Sequence, residues 1–324
     1  MPGTRKPPFE LTPAVLAAIA EIMRLVGRYE GSGAEAPQPR LRRENRIRTV
    51  RASVAIEGNT LAEEQVSAVL DGKRVVGPAR EVHEVRNAIE AYALAPELDP
   101  AREEHLLRAH RVLMSGLTPD AGRYRRKGVG VVQGSRVAHV APPAARVPGL
   151  VGDLLRWAKT DRETHPAIKS AVLHYELEFI HAFTDGNGRV GRLWQHVALV
   201  RFHPAFEHVP VESVIHERQA DYYRTLALSD RAGSATPFLE FALAASRDAL
   251  AELVGALRPE RASPESRLES ARQSFARRDF SRKEYMAIHP NISTATASRD
   301  LALGVERRLL SKRGTKALAR YRFA

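Results

Sequence analysis

Twelve consecutive residues, His181-Ala-Phe-Thr-Asp-Gly-Asn-Gly-Arg-Val-Gly-Arg192, bring together most of the groups in this 324-residue chain that could act as one chemical site. Gly186 and Gly188, flanking Asn187, permit positive φ angles, so successive amide N–H groups can converge into a concave nest. Such a nest would open onto a helix N-terminus, where unpaired amides and the macrodipole favour an anion, phosphate above all. Arg189 and Arg192 are three residues apart, share a helix face and can fork onto neighbouring phosphates. Asp185 offers a hard oxygen of the kind Mg²⁺ takes beside phosphate oxygens, and His181 offers an imidazole suited to removing a proton near neutral pH.

Two elements must position this segment. Ala171, Val172, Tyr175, Phe179 and Ile180 precede it at helical spacing, and Val190, Leu193, Val197 and Val200 follow it, which predicts helix, tight loop, helix. Each part has a plainer reading: Asp-Gly and Asn-Gly are commonly turns, and a histidine at a helix end is commonly a cap or a core residue. Other site types fail on spacing. An EF-hand starting at Asp185 would need Gly at its sixth position and Glu at its twelfth, where the chain has Val190 and His196. A di-iron site needs two Glu-x-x-His pairs, and only Glu178 with His181 has that spacing.

The twelve residues match the Fic signature, His-x-Phe-x-(Asp/Glu)-Gly-Asn-Gly-Arg-x-x-Arg, at every specified position. The chain therefore resembles the Fic proteins, most of which are protein adenylyltransferases that move AMP from ATP to a hydroxyl of a target protein and release pyrophosphate. By that resemblance His181 is the base that deprotonates a Ser, Thr or Tyr hydroxyl, and Asp185 holds Mg²⁺. Asn187 and the amides around Gly186 and Gly188 receive the α-phosphate, Arg189 and Arg192 receive the outer phosphates, and Phe183 anchors the loop in the core. Many members have Pro where this chain has Ala182, a position the signature leaves open.

Beside that signature a second stretch gains meaning. Ser53-Val-Ala-Ile-Glu57-Gly58-Asn59 alone reads as a helix end. It is similar to the family's inhibitory motif, (Ser/Thr)-x-x-x-Glu-(Gly/Asn), in the form placed N-terminal to the catalytic core. The resemblance implies that Glu57 pairs with Arg192, taking the donors a phosphate would use. Between Val129 and Val140, β-branched residues flank Gln133-Gly134-Ser135, a hairpin signal. In order along the chain it corresponds to the family's flap, with Val131, Val132, Gln133 and Gly134 as the edge that would hold a target by strand addition.

Composition limits the alternatives. With 44% hydrophobic residues the chain can build a sizeable core, and its length suggests two or three domains. Zero cysteines exclude disulfides and thiolate metal sites and fit a reducing compartment. No apolar run approaches the roughly 18 residues of a membrane span, and Ala14 to Ala20 is too short for a signal segment, so the expectation is a cytoplasmic protein without a membrane partner. Of the net charge of +12, residues 265–324 carry +8, fourteen Lys plus Arg against six Asp plus Glu. A basic end region points to nucleic acid or another acidic partner, or to a solvated surface.

Along the chain, helices are expected over Leu11 to Tyr29 (capped by Thr12), Leu41 to Ile56, Leu61 to Leu70, Arg80 to Leu94, Glu103 to Met114, Val147 to Thr160 and Phe238 to Leu257. Gly122-Arg-Tyr-Arg125 stands before the hairpin. Tyr222 and Tyr223 read either as flanking a nucleotide base or as buried packing. Residues 1–100 are thus expected to form a helical region carrying the inhibitory motif, 101–258 the core, 259–264 a linker and 265–324 a separate domain. The last resembles a winged helix-turn-helix, with Ser281 and Ser293 as caps. Its third helix would present Thr294, Thr296, Ser298 and Arg299 to DNA or to a protein. The expected fold is mainly α, a Fic helical core with a small β-hairpin flap plus that winged module, and a homodimer follows by family analogy. Three functions compete: an autoinhibited adenylyltransferase, an enzyme removing AMP through the same residues, and a DNA-binding regulator whose core senses nucleotide.

Overall fold

The computed structural model describes residues 6–32, 37–128, 130–133, 136–257, 263–276, 278–290, 292–315 and 318–323. Gly134 and most of the expected linker, residues 259–262, lie outside the described residues, as do the side chains of Val131, Val132 and Gln133. The chain divides into two compact units, Met1–Arg258 and Pro259–Ala324.

The first unit is helical apart from one hairpin. Helix α1 (Pro13–Glu30) starts as its sequence dictates: Thr12 accepts from the Val15 amide, and Pro13 takes the first turn, where its missing N–H costs nothing. Helix α2 (Pro39–Ala55) ends in a turn where Gly58 takes φ 93°. Helices α3 (Glu63–Leu70), α4 (Ala79–Ala93) and α5 (Glu103–Leu113) follow. Strands β1 (Gly130–Gln133) and β2 (Arg136–Val140) pair antiparallel, Val131 opposite His139 and Val132 opposite Val137, with a bulge between Val131 and Val132. Then come α6 (Val147–Thr160), α7 (Pro166–Ile180), α8 (Asn187–Phe202), α9 (Val211–Glu217), α10 (Gln219–Ala232) and α11 (Thr236–Ala256).

A single core runs from Val15 on α1 to Val254 on α11, so residues on both sides of position 100 bury their apolar faces together. Helices α7 and α8 lie at its centre: Leu193 and Trp194 on α8 and Ala171 and Val172 on α7 have no exposed surface. Burial of a side chain such as Leu193 or Val172 stabilises by about 1.5–3 kcal/mol, and that holds the α7–α8 turn in place. Trp157 of α6 is 2% exposed.

In the second unit, α12 (Pro264–Phe275), α13 (Arg282–Ile288) and α14 (Thr294–Glu306) precede an antiparallel pair, β3 (Leu310–Arg313) and β4 (Arg320–Phe323). Ser281 and Glu284 form a capping box on α13, and Ser293 caps α14 through the Thr296 amide. Phe275, Phe280, Tyr285, Leu301 and Phe323 make its own small core. Asp300, 1% exposed, is charge-paired with Arg267 at 2.6 Å.

Candidate active site

Helix α7 stops because His181 turns left-handed, φ 49° and ψ 59°, while its N–H still bonds Leu177 O at 3.0 Å. A non-glycine residue held there costs roughly 1–3 kcal/mol, so the surroundings must enforce it. Ala182 and Phe183, next in line, are buried. Phe183 stacks on His110 of α5, ring centroids 3.7 Å apart and planes within 9°. His110 accepts the Gly122 amide at Nδ1 (2.8 Å) and donates from Nε2 to Asp185 O (3.0 Å). Both bonds require the neutral ring with its proton on Nε2. Burial first of all, with Arg189 nearby, lowers His110 to about 4, which keeps it neutral.

The Asn187 amide closes the loop on itself. Its Oδ1 accepts the Phe183 N–H and its Nδ2 donates to Phe183 O, both at 2.9 Å. The family resemblance assigns Asn187 to the α-phosphate; in the structure its amide fixes the loop. Gly186, φ 83°, begins α8, and a side chain there would meet Met114 at 2.5 Å. Asp185 is 46% exposed at the mouth, its Oδ1 bonded by the Gly186 amide at 2.6 Å and by Arg189 at 3.1 Å.

Both signature arginines are buried, and each already faces a carboxylate. Arg192, 1% exposed, donates from Nη2 to Glu57 Oε1 at 2.7 Å and to Ser53 O at 3.0 Å. Burial works against its charge, but Glu57, with Tyr222 and Glu178, more than offsets this and holds the guanidinium above its ordinary value. Arg189 donates from Nη1 to Glu84 of α4 at 3.2 Å. The Nε of each arginine is buried without a hydrogen-bond partner among the described residues. An orphaned buried donor is costly. The space over the turn is partly taken: a side-chain carbon added to Gly188 would collide with Glu57 Oε1 and lie 3.2 Å from Arg192 Nη1.

Several contributors escaped the sequence reading. The Tyr92 hydroxyl of α4 bonds Glu212 Oε1 at 3.0 Å and lies 3.1 Å from Ser53 Oγ, so Ser53 of α2 is linked to α9 through Tyr92. Asn59 donates to Glu84 Oε2 at 3.0 Å, which links the Glu57 turn to Arg189. Of the two tyrosines, Tyr222 is 1% exposed in an aromatic cluster with Phe238, whereas Tyr223 is on the surface and donates to Ile56 O. Among the described residues no cluster of three His, Cys, Asp or Glu could cage a metal. The lone exposed Asp185 carboxylate fits an ion that keeps water and phosphate oxygens as most of its ligands, the habit of Mg²⁺.

In the second unit Thr296 Oγ1 bonds Ser293 Oγ at 3.0 Å, and Ser298 accepts from Arg282 at 3.0 Å. Thr294 and Arg299 are exposed.

A family model described as Fic/DOC family matches residues 98–199, which include the whole turn. A solved structure of a Fic family protein from Desulfovibrio desulfuricans G20 is 42% identical, covers 99% of this chain and 98% of that one, and superposes with a TM-score of 0.73. This chain belongs to the Fic family. The protein adenylyltransferase fic-1 of Caenorhabditis elegans is 30% identical over 233 residues, 68% of this chain but 43% of that protein. The protein adenylyltransferase Fic of Drosophila melanogaster is 28% identical over 213 residues, 62% of this chain and 41% of its own length. The chain thus spans well under half of these named relatives. A Fic domain structure from Bacteroides thetaiotaomicron, 19% identical with a TM-score of 0.62, shares the fold. No helix among the described residues is long and apolar enough to cross a membrane.

Proposed function

We propose that the protein is a self-restrained protein adenylyltransferase. The target hydroxyl oxygen attacks the α-phosphorus of ATP, the bond from that phosphorus to the α–β bridging oxygen breaks, and pyrophosphate leaves. His181 takes the hydroxyl proton. The loop amides and the two arginines carry the phosphate charge. Mg²⁺ bound at Asp185 would neutralise charge on the nucleotide oxygens. Glu57 restrains the site, and the single observation that carries this reading is its carboxylate on Arg192, 2.7 Å away and over Gly188.

The test is incubation of the parent, Glu57→Gly and Glu57→Gly/His181→Ala with Mg²⁺ and ATP labelled on the α-phosphate. Label should appear on protein weakly with the parent, at least about tenfold more with Glu57→Gly, as expected when a competitor for the site is removed, and not with the double variant. No label in any of the three, lysate proteins included, would sink transfer. Removal of AMP would then be the better reading, and Glu57→Gly should abolish it, because that reaction needs Glu57 to place the water.

For the second unit we propose a winged helix-turn-helix that contacts DNA phosphates. Its net charge of +8 and the exposed Thr294 and Arg299 support this. Duplex binding should weaken steeply with salt, and Arg299→Ala should reduce the slope by about one. Absence of binding at low salt would leave protein contact as its role.

A further inference from the structure

Arg125 closes the Gly122-Arg-Tyr-Arg125 motif and is 4% exposed. Its backbone N–H donates to Ala182 O at 3.0 Å. Its guanidinium donates from Nε to His181 O (2.7 Å), from Nη1 to Lys127 O (2.9 Å), and from Nη2 to Pro142 O (2.5 Å) and Ile180 O (3.3 Å). Every acceptor is a main-chain carbonyl. Burial alone shifts the guanidinium, lowering it from its ordinary value, and no carboxylate among the described residues offsets that. A buried cation without an anion is an expensive way to gain stability, so what it enforces must lie in its geometry.

That geometry has two ends. Ile180, His181 and Ala182 are the consecutive residues around the left-handed His181, and three of the five bonds fall on their carbonyls. Lys127 precedes β1 and Pro142 follows β2, so the other two bonds grip both stems of the hairpin. A planar fork with fixed donor directions can serve four carbonyls at once, whereas a lysine ammonium has three donors on one point. We infer that Arg125 is a positioning residue of the proposed transfer: it holds His181 in the left-handed conformation and fastens it to both stems of the β1–β2 hairpin. The base and the strand pair beside it then keep one spacing. This rests on the adenylyl-transfer reading for its catalytic consequence, but not for the clamp itself.

The experiment uses the full chain in the Glu57→Gly background with Arg125→Lys and Arg125→Gln. Self-labelling from α-labelled ATP reports transfer, calorimetry with α,β-methylene-ATP reports nucleotide binding, and backbone hydrogen exchange reports the clamp. Arg125→Gln should lower the labelling rate about 100-fold while the analogue's Kd stays within about threefold, the scale of losing oriented catalytic geometry. Arg125→Lys should recover part of that rate. In Arg125→Gln, exchange should rise together in residues 127–142 and 177–183 and stay unchanged in α11. Unchanged exchange at either end would overturn the clamp whatever the chemistry. Labelling and analogue binding falling by the same factor would reassign Arg125 to the nucleotide pocket. Equal labelling in Arg125→Lys and its parent would show that the fork is not needed. Should Arg125→Gln fail to fold, Arg125→Lys carries all three readouts. If the Glu57→Gly parent itself takes no label, the transfer reading has failed and exchange alone decides the clamp.

Discussion

At the scale of single residues, the turn separates groups that reshape the loop from groups that face a ligand. His181 has its backbone fixed by Leu177 and Arg125, so truncating its ring removes chemistry and leaves the phosphate site standing. His181→Ala should reduce transfer by roughly 10²- to 10⁴-fold with nucleotide affinity nearly unchanged, as read by labelling rate and calorimetry. A collapse of affinity would mean that His181 is not the base. Arg192→Ala removes the Glu57 partner and, on the proposed reading, a phosphate donor in one step. Restraint and activity should therefore fall together, so that adding Glu57→Gly to Arg192→Ala restores nothing. Restored labelling in that pair would place the outer phosphates elsewhere. The contiguous signature made His181, Asp185 and both arginines legible in the sequence because their spacing is local. Glu84, Tyr92 and Glu212 were not, because the bonds that give them roles cross 39 to 120 residues, and the bond of Arg125 to His181 crosses 56.

At the scale of elements, caps and periodicity told the truth where a helix buries one face. Thr12, Ser281 and Ser293 start the helices they were expected to start, and Gly58 closes the turn after α2. Helix α9 was missed, since Val211–Glu217 is two turns long, follows Pro210 and carries Glu212 inward where an amphipathic pattern would place an apolar residue. Its role depends on Tyr92, whose partner no local rule identifies. The α7–α8 turn was read as a tight loop between two helices and is one, but its rigidity comes from outside both helices. The stacked His110 of α5 and the guanidinium of Arg125 supply it.

Across the first unit as a whole, buried titratable groups set opposite demands on pH. Burial lowers His110 and His196 to about 4 and His174 to about 3, from 6.5. The unfolded chain binds protons at these sites that the folded one refuses, so stability is complete above about pH 6.5 and is lost as pH falls toward 4. Glu212 runs the other way. Burial raises it to about 7, so the folded state keeps a proton the unfolded chain releases near 4.5, and its contribution is lost as pH rises to 7. Glu212→Gln should be more stable than the parent by about 1–3 kcal/mol at pH 8 and equal to it near pH 4.5, measured by urea unfolding. A loss at pH 8 would mean that the charged form is needed beneath Tyr92 and Ser53. The core that holds these groups also contains Ile47, Val50 and Val54 of α2, the helix that carries Glu57 to Arg192. On the proposed reading, Glu57 is then an inhibitor tethered at fixed effective concentration, which dilution cannot weaken. The parent's activity per molecule should therefore stay flat over protein concentration wherever a single chain is the functional species, and a signal that relieves it has only to turn one carboxylate aside.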